Sequence, residues 1–182
     1  MRALIVIDFT NDFVNGSLPV GKPAIEIAPV ISRLTEEFVK QGDFVVMAVD
    51  LHEVGDLYHP ETKLFPPHNL RDSSGRELFG ELKETYERCK DRIDWMDKTR
   101  YSAFIGTDLE LKLRERRITE VCLVGVCTDI CVLHTAVDAY NKGFEITVFE
   151  DAVATFNSLG HEWALGHFKG SLGAKVIMST DL

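Results

Sequence analysis

The chain has 182 residues, 45% of them hydrophobic, which is enough to bury one substantial core and predicts a single domain over residues 1–182. A formal net charge of -9 without a basic block argues against nucleic acid or an anionic membrane surface as a partner. The first apolar run begins at the second or third residue, leaving no room for a secretory leader, and no apolar run approaches spanning length, so a cytoplasmic protein is expected. Cys89, Cys122, Cys127 and Cys131 are too few and too clustered for a disulfide framework.

The run ALIVI predicts a first strand, closed by Asp8. After Pro23, the positions Ile27, Val30, Ile31, Leu34 and Phe38 recur at helical spacing, which predicts an amphipathic helix from about Ala24 to Gln41, stopped by Gly42. Phe44 to Asp50 reads as a second strand and Arg92 to Met96 as a third, with Lys98 just beyond it. Thr107 and Glu110 read as a capping box opening a helix through about Arg116. Val121 to Val126, Glu145 to Phe149 and Ala174 to Met178 complete six strands, with helices in the gaps. This alternation predicts an α/β fold: a six-stranded, mostly parallel sheet with helices on both faces.

Between the second and third strands lies a long connection, Leu51 to about Gly75, carrying His52, His59, Glu61, Pro66, Pro67 and His68. Long irregular loops inside compact domains are uncommon and often functional. Asp50 and His52 are one residue apart, so on an extended chain both project to one face and could grip a cation. Imidazole and carboxylate donors suit zinc, iron or manganese better than calcium.

In VCLVGVCTDICVLHTAVDAY, Val121 to Tyr140, a β-branched run stops at Gly125 and a helical pattern starts after Thr128 and Asp129. Cys131 therefore falls in the first turn of a helix at the carboxyl end of a strand. Unpaired amides there favour a thiolate and offer donors to an oxyanion. A small buried structural cysteine would read the same way from this segment alone. Asp8, Asp50 and Lys98 also fall at strand ends, where an open α/β sheet collects its ligands. Strand-end acids plus a lysine equally fit a phospho-accepting receiver module, though that leaves Cys131 and the histidine loop without a role. A dinucleotide site is disfavoured, because the first strand leads into DFTNDF rather than a glycine-rich turn.

Asp8, Lys98 and Cys131, with DFTNDF, Asp50-Leu51-His52, HPETKLFPPHN, MDKTRYSAF, the GVCTDICV wording and LGHFKGSLGAKV, make the chain resemble the isochorismatase-like cysteine hydrolases, and most closely the nicotinamidases, over nearly its whole length. The resemblance implies hydrolysis of nicotinamide to nicotinate and ammonia through a thioester on Cys131, in NAD salvage, with pyrazinamide as a further substrate. Asp8 would be the base, Lys98 the charge balance, and the N–H groups of Cys127 and Cys131 the oxyanion hole, with a cis peptide between Val126 and Cys127. One divalent metal, zinc first and iron or manganese as alternatives, would be held by Asp50, His52, Glu61 and His68, with His59 the rival of Glu61. Phe13, Phe65 and Tyr101 are the expected substrate-contacting aromatics. Trp95, inside a strand, is assigned to packing, and His134, His161 and His167 to structure or surface. A homo-oligomer is expected. Two relatives within the superfamily compete: an isochorismatase, which needs no cysteine nucleophile, and a carbamoyl amidase, which keeps the triad without the metal set. Cys131 speaks against the first, and His52 with His68 against the second.

Overall fold

A computed structural model describes residues Met1–Leu182. The strands are β1 (Arg2–Ile7), β2 (Phe44–Asp50), β3 (Asp94–Lys98), β4 (Glu120–Val126), β5 (Glu145–Ala154) and β6 (Lys175–Ile177). They form one sheet in the order β3-β2-β1-β4-β5-β6, with every pairing parallel. The helices are α1 (Asn11–Val14), α2 (Lys22–Gln41), α3 (Glu81–Cys89), α4 (Leu109–Glu115), α5 (Leu133–Asn141) and α6 (Ser158–Gly170). No helix is long and apolar enough to cross a membrane.

Side chains alternate across each strand, so the central strands feed two cores. Leu4 and Val6 of β1 pack with Ile31, Leu34 and Phe38 of α2 and Leu82 of α3. Ala3, Ile5 and Ile7 face the opposite core, with Leu109 and Leu113 of α4, Ala136 and Ala139 of α5 and Phe168 of α6. Burial on both faces accounts for the near-continuous apolar character of β1, β2 and β4. The chain leaves β1 for β2 and β3 on one side, then returns to place β4 on the other side. This reversal puts a crevice beyond the carboxyl ends of β1 and β4.

β3, β5 and the start of α4 differ from expectation, and β6 is shorter by one residue at each end. β3 begins at Asp94 instead of Arg92 and includes Lys98, because Lys90–Arg92 form a separate turn and the register runs from Val46↔Asp94 to Asp50↔Lys98. β5 extends five residues beyond Phe149, through a register shift opposite Leu123 and Gly125; exposed Glu150 sits at the shift, and Ala152 to Ala154 resume the buried run. The capping box between Thr107 and Glu110 is not made. Thr107 Oγ1 donates to the Ala103 carbonyl at 2.6 Å and accepts from the Leu109 N–H at 3.3 Å, while the Glu110 carboxylate accepts from Lys142 Nζ at 2.7 Å.

Gly125 lets β4 approach β1. Its φ is 113°, and a Cβ there would lie 2.0 Å from the Ile7 carbonyl oxygen. Gly125→Ala is expected to cost more than about 3 kcal/mol, since it adds a backbone clash to a conformation that L side chains rarely adopt. Urea unfolding measures this; a midpoint within error of the parent would contradict the close approach.

Candidate active site

Four strand ends deliver the polar groups. Asp8 follows β1, Asp50 and Lys98 are the last residues of β2 and β3, and Cys127 follows β4. All four are buried. Lys98 Nζ lies 2.7 Å from Asp8 Oδ2, 2.5 Å from Asp50 Oδ1 and 3.7 Å from Cys131 Sγ. Asp8 Oδ1 accepts the Asp50 N–H at 2.8 Å, and Asp8 sits at φ 53°, a bend that turns its carboxylate back across the ends of the strands. Residues separated by more than a hundred positions thus meet around one ammonium.

The segment carrying Cys131 begins with one wide turn, Thr128–Val132, before α5. The Ile130 and Val132 N–H groups both donate to the Cys127 carbonyl, at 3.0 and 3.1 Å. The Cys127 N–H donates to no protein group, and the Val126–Cys127 peptide is cis. Thr135 Oγ1 donates to the Cys131 carbonyl at 2.7 Å, holding the turn from inside.

Burial dominates the electrostatics. It pushes the Asp8 carboxyl up, helped by the Asp50 charge, to about 7 despite the opposing pull of Lys98. For Asp50, burial acts upward, but Lys98 and His52 outweigh it and hold the carboxyl below its ordinary value. Burial opposes the charge on Lys98, yet Asp50 and Asp8 keep its ammonium well above the usual lysine range. Cys131 is pushed well up by burial, only partly offset by Lys98. The helix start does not by itself overcome this burial, and attack needs a base beside the thiol. At neutral pH the group is a thiol, with a carboxyl titrating near neutrality next to it.

Beside this cluster, ligand atoms of Asp50, His52, Glu61 and His68 all lie within 4.8 Å of one another, and all four residues are buried. Asp50 Oδ2, His52 Nε2 and His68 Nε2 are buried without a hydrogen-bond partner. Orphaned buried polar atoms are costly, and three pointing at one spot fit a cation. His68 Nδ1 pairs with the Pro66 carbonyl at 2.8 Å, an arrangement that leaves the Nε2 lone pair free, as a metal-binding imidazole requires. His59 has no nitrogen to spare: Nε2 is 2.8 Å from the Thr99 carbonyl oxygen, and Nδ1 accepts the Glu61 N–H at 3.2 Å. Two imidazoles and two carboxylates suit zinc, iron or manganese.

The supporting residues were not singled out from sequence. Asn69, with φ 44°, follows His68; its carbonyl accepts the His52 N–H at 3.1 Å, and its N–H donates to Asp12 Oδ2 at 2.8 Å. Thr10 Oγ1 donates to Asn69 Oδ1 at 2.9 Å. Two histidines of the cluster therefore hang on one residue braced from the DFTNDF segment. The second acid of that segment, Asp12, was its only sequence signal.

Phe13, Phe65, Tyr101, Cys127, Cys131 and Glu61 line a narrow cleft, together with Leu18, Ile130 and Phe156. The Phe13 ring meets His68 edge-on at 5.1 Å. Trp95 packs on Tyr86 at 5.5 Å, outside this cleft. His134 lies against Tyr101 at 5.2 Å, His161 pairs with Thr128 Oγ1 at 2.9 Å, and His167 stacks on Trp163. The arrangement can deprotonate a thiol, hold a flat ring and bind a divalent cation within one crevice.

Residues 2–181 match the Isochorismatase domain family. The nicotinamidase/pyrazinamidase PncA from Bacillus subtilis is 59% identical in sequence, and its crystal structure is similar with a TM-score of 0.95 over 97% of this chain and 98% of that one. The pyrazinamidase/nicotinamidase of Streptococcus mutans UA159 is 50% identical, with a TM-score of 0.95 over 97% of this chain and 100% of that one. The pyrazinamidase of Pyrococcus horikoshii, solved in complex with zinc, is 31% identical, with a TM-score of 0.85 over 97% of this chain and 98% of that one. The chain belongs to the isochorismatase domain family.

Proposed function

We propose that this chain hydrolyses nicotinamide to nicotinate and ammonia through a thioester on Cys131, and that it accepts pyrazinamide as well. The observation that carries the reading is one buried contact: Lys98 Nζ touches Asp8 and Asp50 and lies 3.7 Å from Cys131 Sγ, beside four convergent metal donors. The names of the Bacillus and Streptococcus relatives support the same substrate. Nicotinate is the form from which pyridine nucleotides can be rebuilt, which places the reaction in NAD salvage. The free thiols suit a reducing cytoplasm.

Phe13 and Phe65 hold the pyridine ring and present its carboxamide to Cys131. Asp8 takes the thiol proton as Sγ attacks the amide carbon, which suits a base titrating at about 7. The N–H groups of Cys127 and Cys131 receive the oxyanion. Asp8 returns the proton to the departing nitrogen, ammonia leaves, and the thioester forms. Asp8 then takes a proton from water as it attacks the thioester, and collapse releases nicotinate and restores the thiol. Lys98 stays charged throughout and balances the two carboxylates. Tyr101, its phenol pushed up to about 12 mainly by burial and then by the Glu61 charge, keeps its proton as a donor at the wall of the cleft.

Asp50, His52, Glu61 and His68 would hold one divalent metal, zinc first with iron or manganese as alternatives. Bound there, it supplies a Lewis acid for the pyridine nitrogen. His68→Ala is expected to lower metal content from about one per chain and to raise KM for nicotinamide by about 10- to 100-fold. Benzamide lacks the ring nitrogen, so its KM should move much less. Equal losses on both amides would contradict a substrate-binding metal.

The reaction itself is tested by following ammonia and nicotinate from purified protein and nicotinamide, before and after chelation. One ammonia per nicotinate, lost on chelation and restored by zinc, is the expected result. No ammonia from the metal-replete protein would overturn the reading.

A further inference from the structure

We propose that Arg76 is a positioning residue for this site: its guanidinium fixes the Asp50 backbone from behind and ties the far end of the histidine loop to the strand end where that loop begins. The proposal rests on the reading of Asp50 as both partner of Lys98 and metal donor.

The Arg76 side chain is only 15% exposed. Its Nε donates to the Asp50 carbonyl at 2.7 Å, and Nη2 donates to the Val49 carbonyl at 3.3 Å and to Asp97 Oδ1. Asp97 Oδ1 also accepts Trp95 Nε1 at 2.8 Å, and the guanidinium lies 5.4 Å from the Trp95 ring centroid. One planar fork therefore joins the end of β2 to the residue just before Lys98 on β3.

Asp50 is consequently held on every polar atom but one. Its N–H is bound by Asp8 and its carbonyl by Arg76. Its Oδ1 is bound by Lys98, and the remaining atom, Oδ2, is the orphan that faces His52 and His68. Rotation of the Asp50 peptide would move that oxygen away from the other metal donors and loosen the grip on Lys98.

The same contact closes the loop. Leu51 starts the segment carrying His52, Glu61 and His68, and Arg76 ends it by returning to the carbonyl of Asp50. Inside that closure, the His52 carbonyl accepts the Arg71 N–H at 2.9 Å, and the His52 N–H donates to Asn69. Lysine cannot reproduce this. A single ammonium has no planar fork to reach two carbonyls and a carboxylate beside the indole.

The test compares Arg76→Met, Arg76→Lys and Asp97→Asn with the parent. Zinc affinity is read by competition with a chromogenic chelator, kcat and KM on nicotinamide, and hydrogen exchange at the His52 and Arg71 amides. Arg76→Met is expected to weaken zinc binding by about 10- to 100-fold, to lower kcat, and to speed exchange at both amides. Arg76→Lys should recover little of this despite its charge, and Asp97→Asn should shift all three readouts the same way by less. A merely structural arginine would lower the melting temperature and leave zinc affinity and loop exchange of the folded protein unchanged, which overturns the proposal. Full recovery in Arg76→Lys overturns it too. Should Arg76→Met fail to fold, parent-like zinc affinity and exchange in the other two variants have the same force. Absence of nicotinamide hydrolysis by the parent would instead strike the proposed reaction, and the zinc and exchange readouts would still decide the role of Arg76.

Discussion

Cys131→Ala loses nicotinamide hydrolysis by at least about 10⁴-fold while keeping a cooperative unfolding transition, because removing a nucleophile removes the covalent route that the other groups serve. The side chain is small and packs among core residues of α5 and β4, so its loss costs about 1 kcal/mol of burial. The other cysteines separate chemistry from packing. Cys122 is buried on the opposite face of β4, among α2 residues, and Cys89 lies at the end of α3; alanine at either keeps the activity. At Cys127 the proposed role belongs to the backbone N–H, so Cys127→Ala retains most turnover as well. Steady-state assays on the four variants check this, and activity in Cys131→Ala with loss in Cys122→Ala or Cys89→Ala would reassign the nucleophile.

Lys98→Met has the largest expected effect on stability, and its size depends on pH. With the ammonium gone, Asp8 and Asp50 stay fully buried without a counter-charge, a change that costs about 3 to 5 kcal/mol when both are ionised. In the parent, Lys98 holds Asp50 below its ordinary value of 3.8, so that carboxyl contributes stability above 3.8 and loses it as the pH falls. Asp8 runs the other way. Its carboxyl is raised from 3.8 to about 7, and it costs stability increasingly as the pH rises across that window. Losing Lys98 raises both carboxyls. The gap between variant and parent should therefore be widest above about pH 7 and narrow toward about pH 4, where both raised carboxyls of the variant are protonated. Urea unfolding across that range measures it, and a gap that is flat or widens on acidification would contradict the buried three-charge cluster. Turnover should fall by about 10²- to 10³-fold at neutral pH, since the charge that balances attack is gone.

The sheet was legible because buried parallel strands and amphipathic helices leave strong periodic patterns: β1, β2, β4 and α2 fall within a few residues of expectation. β3 was read two residues early because its sequence, DWMDK, belongs to an edge strand whose burial alternates, so composition gave no firm boundary. The second half of β5 was hidden by Glu150 and Asp151, which interrupt the apolar run where the register shifts. Site residues were legible as strand-end polar groups and as a motif order. Their contacts were not. Lys98 bridging Asp8 and Asp50 and the choice between Glu61 and His59 depend on burial and on which atoms already have partners. Arg76, Asn69 and Asp12 act through backbone groups, and a backbone hydrogen bond leaves no residue pattern to read.

The most direct measurement is the identity of the covalent intermediate. Protein mixed with nicotinamide, quenched in acid within the first turnovers and digested for mass spectrometry, should carry a nicotinoyl group on the peptide containing Cys131, released by mild base as a thioester. The adduct should be absent from Cys131→Ala. A nicotinoyl group on any other residue, or turnover that continues in Cys131→Ala, would contradict the account.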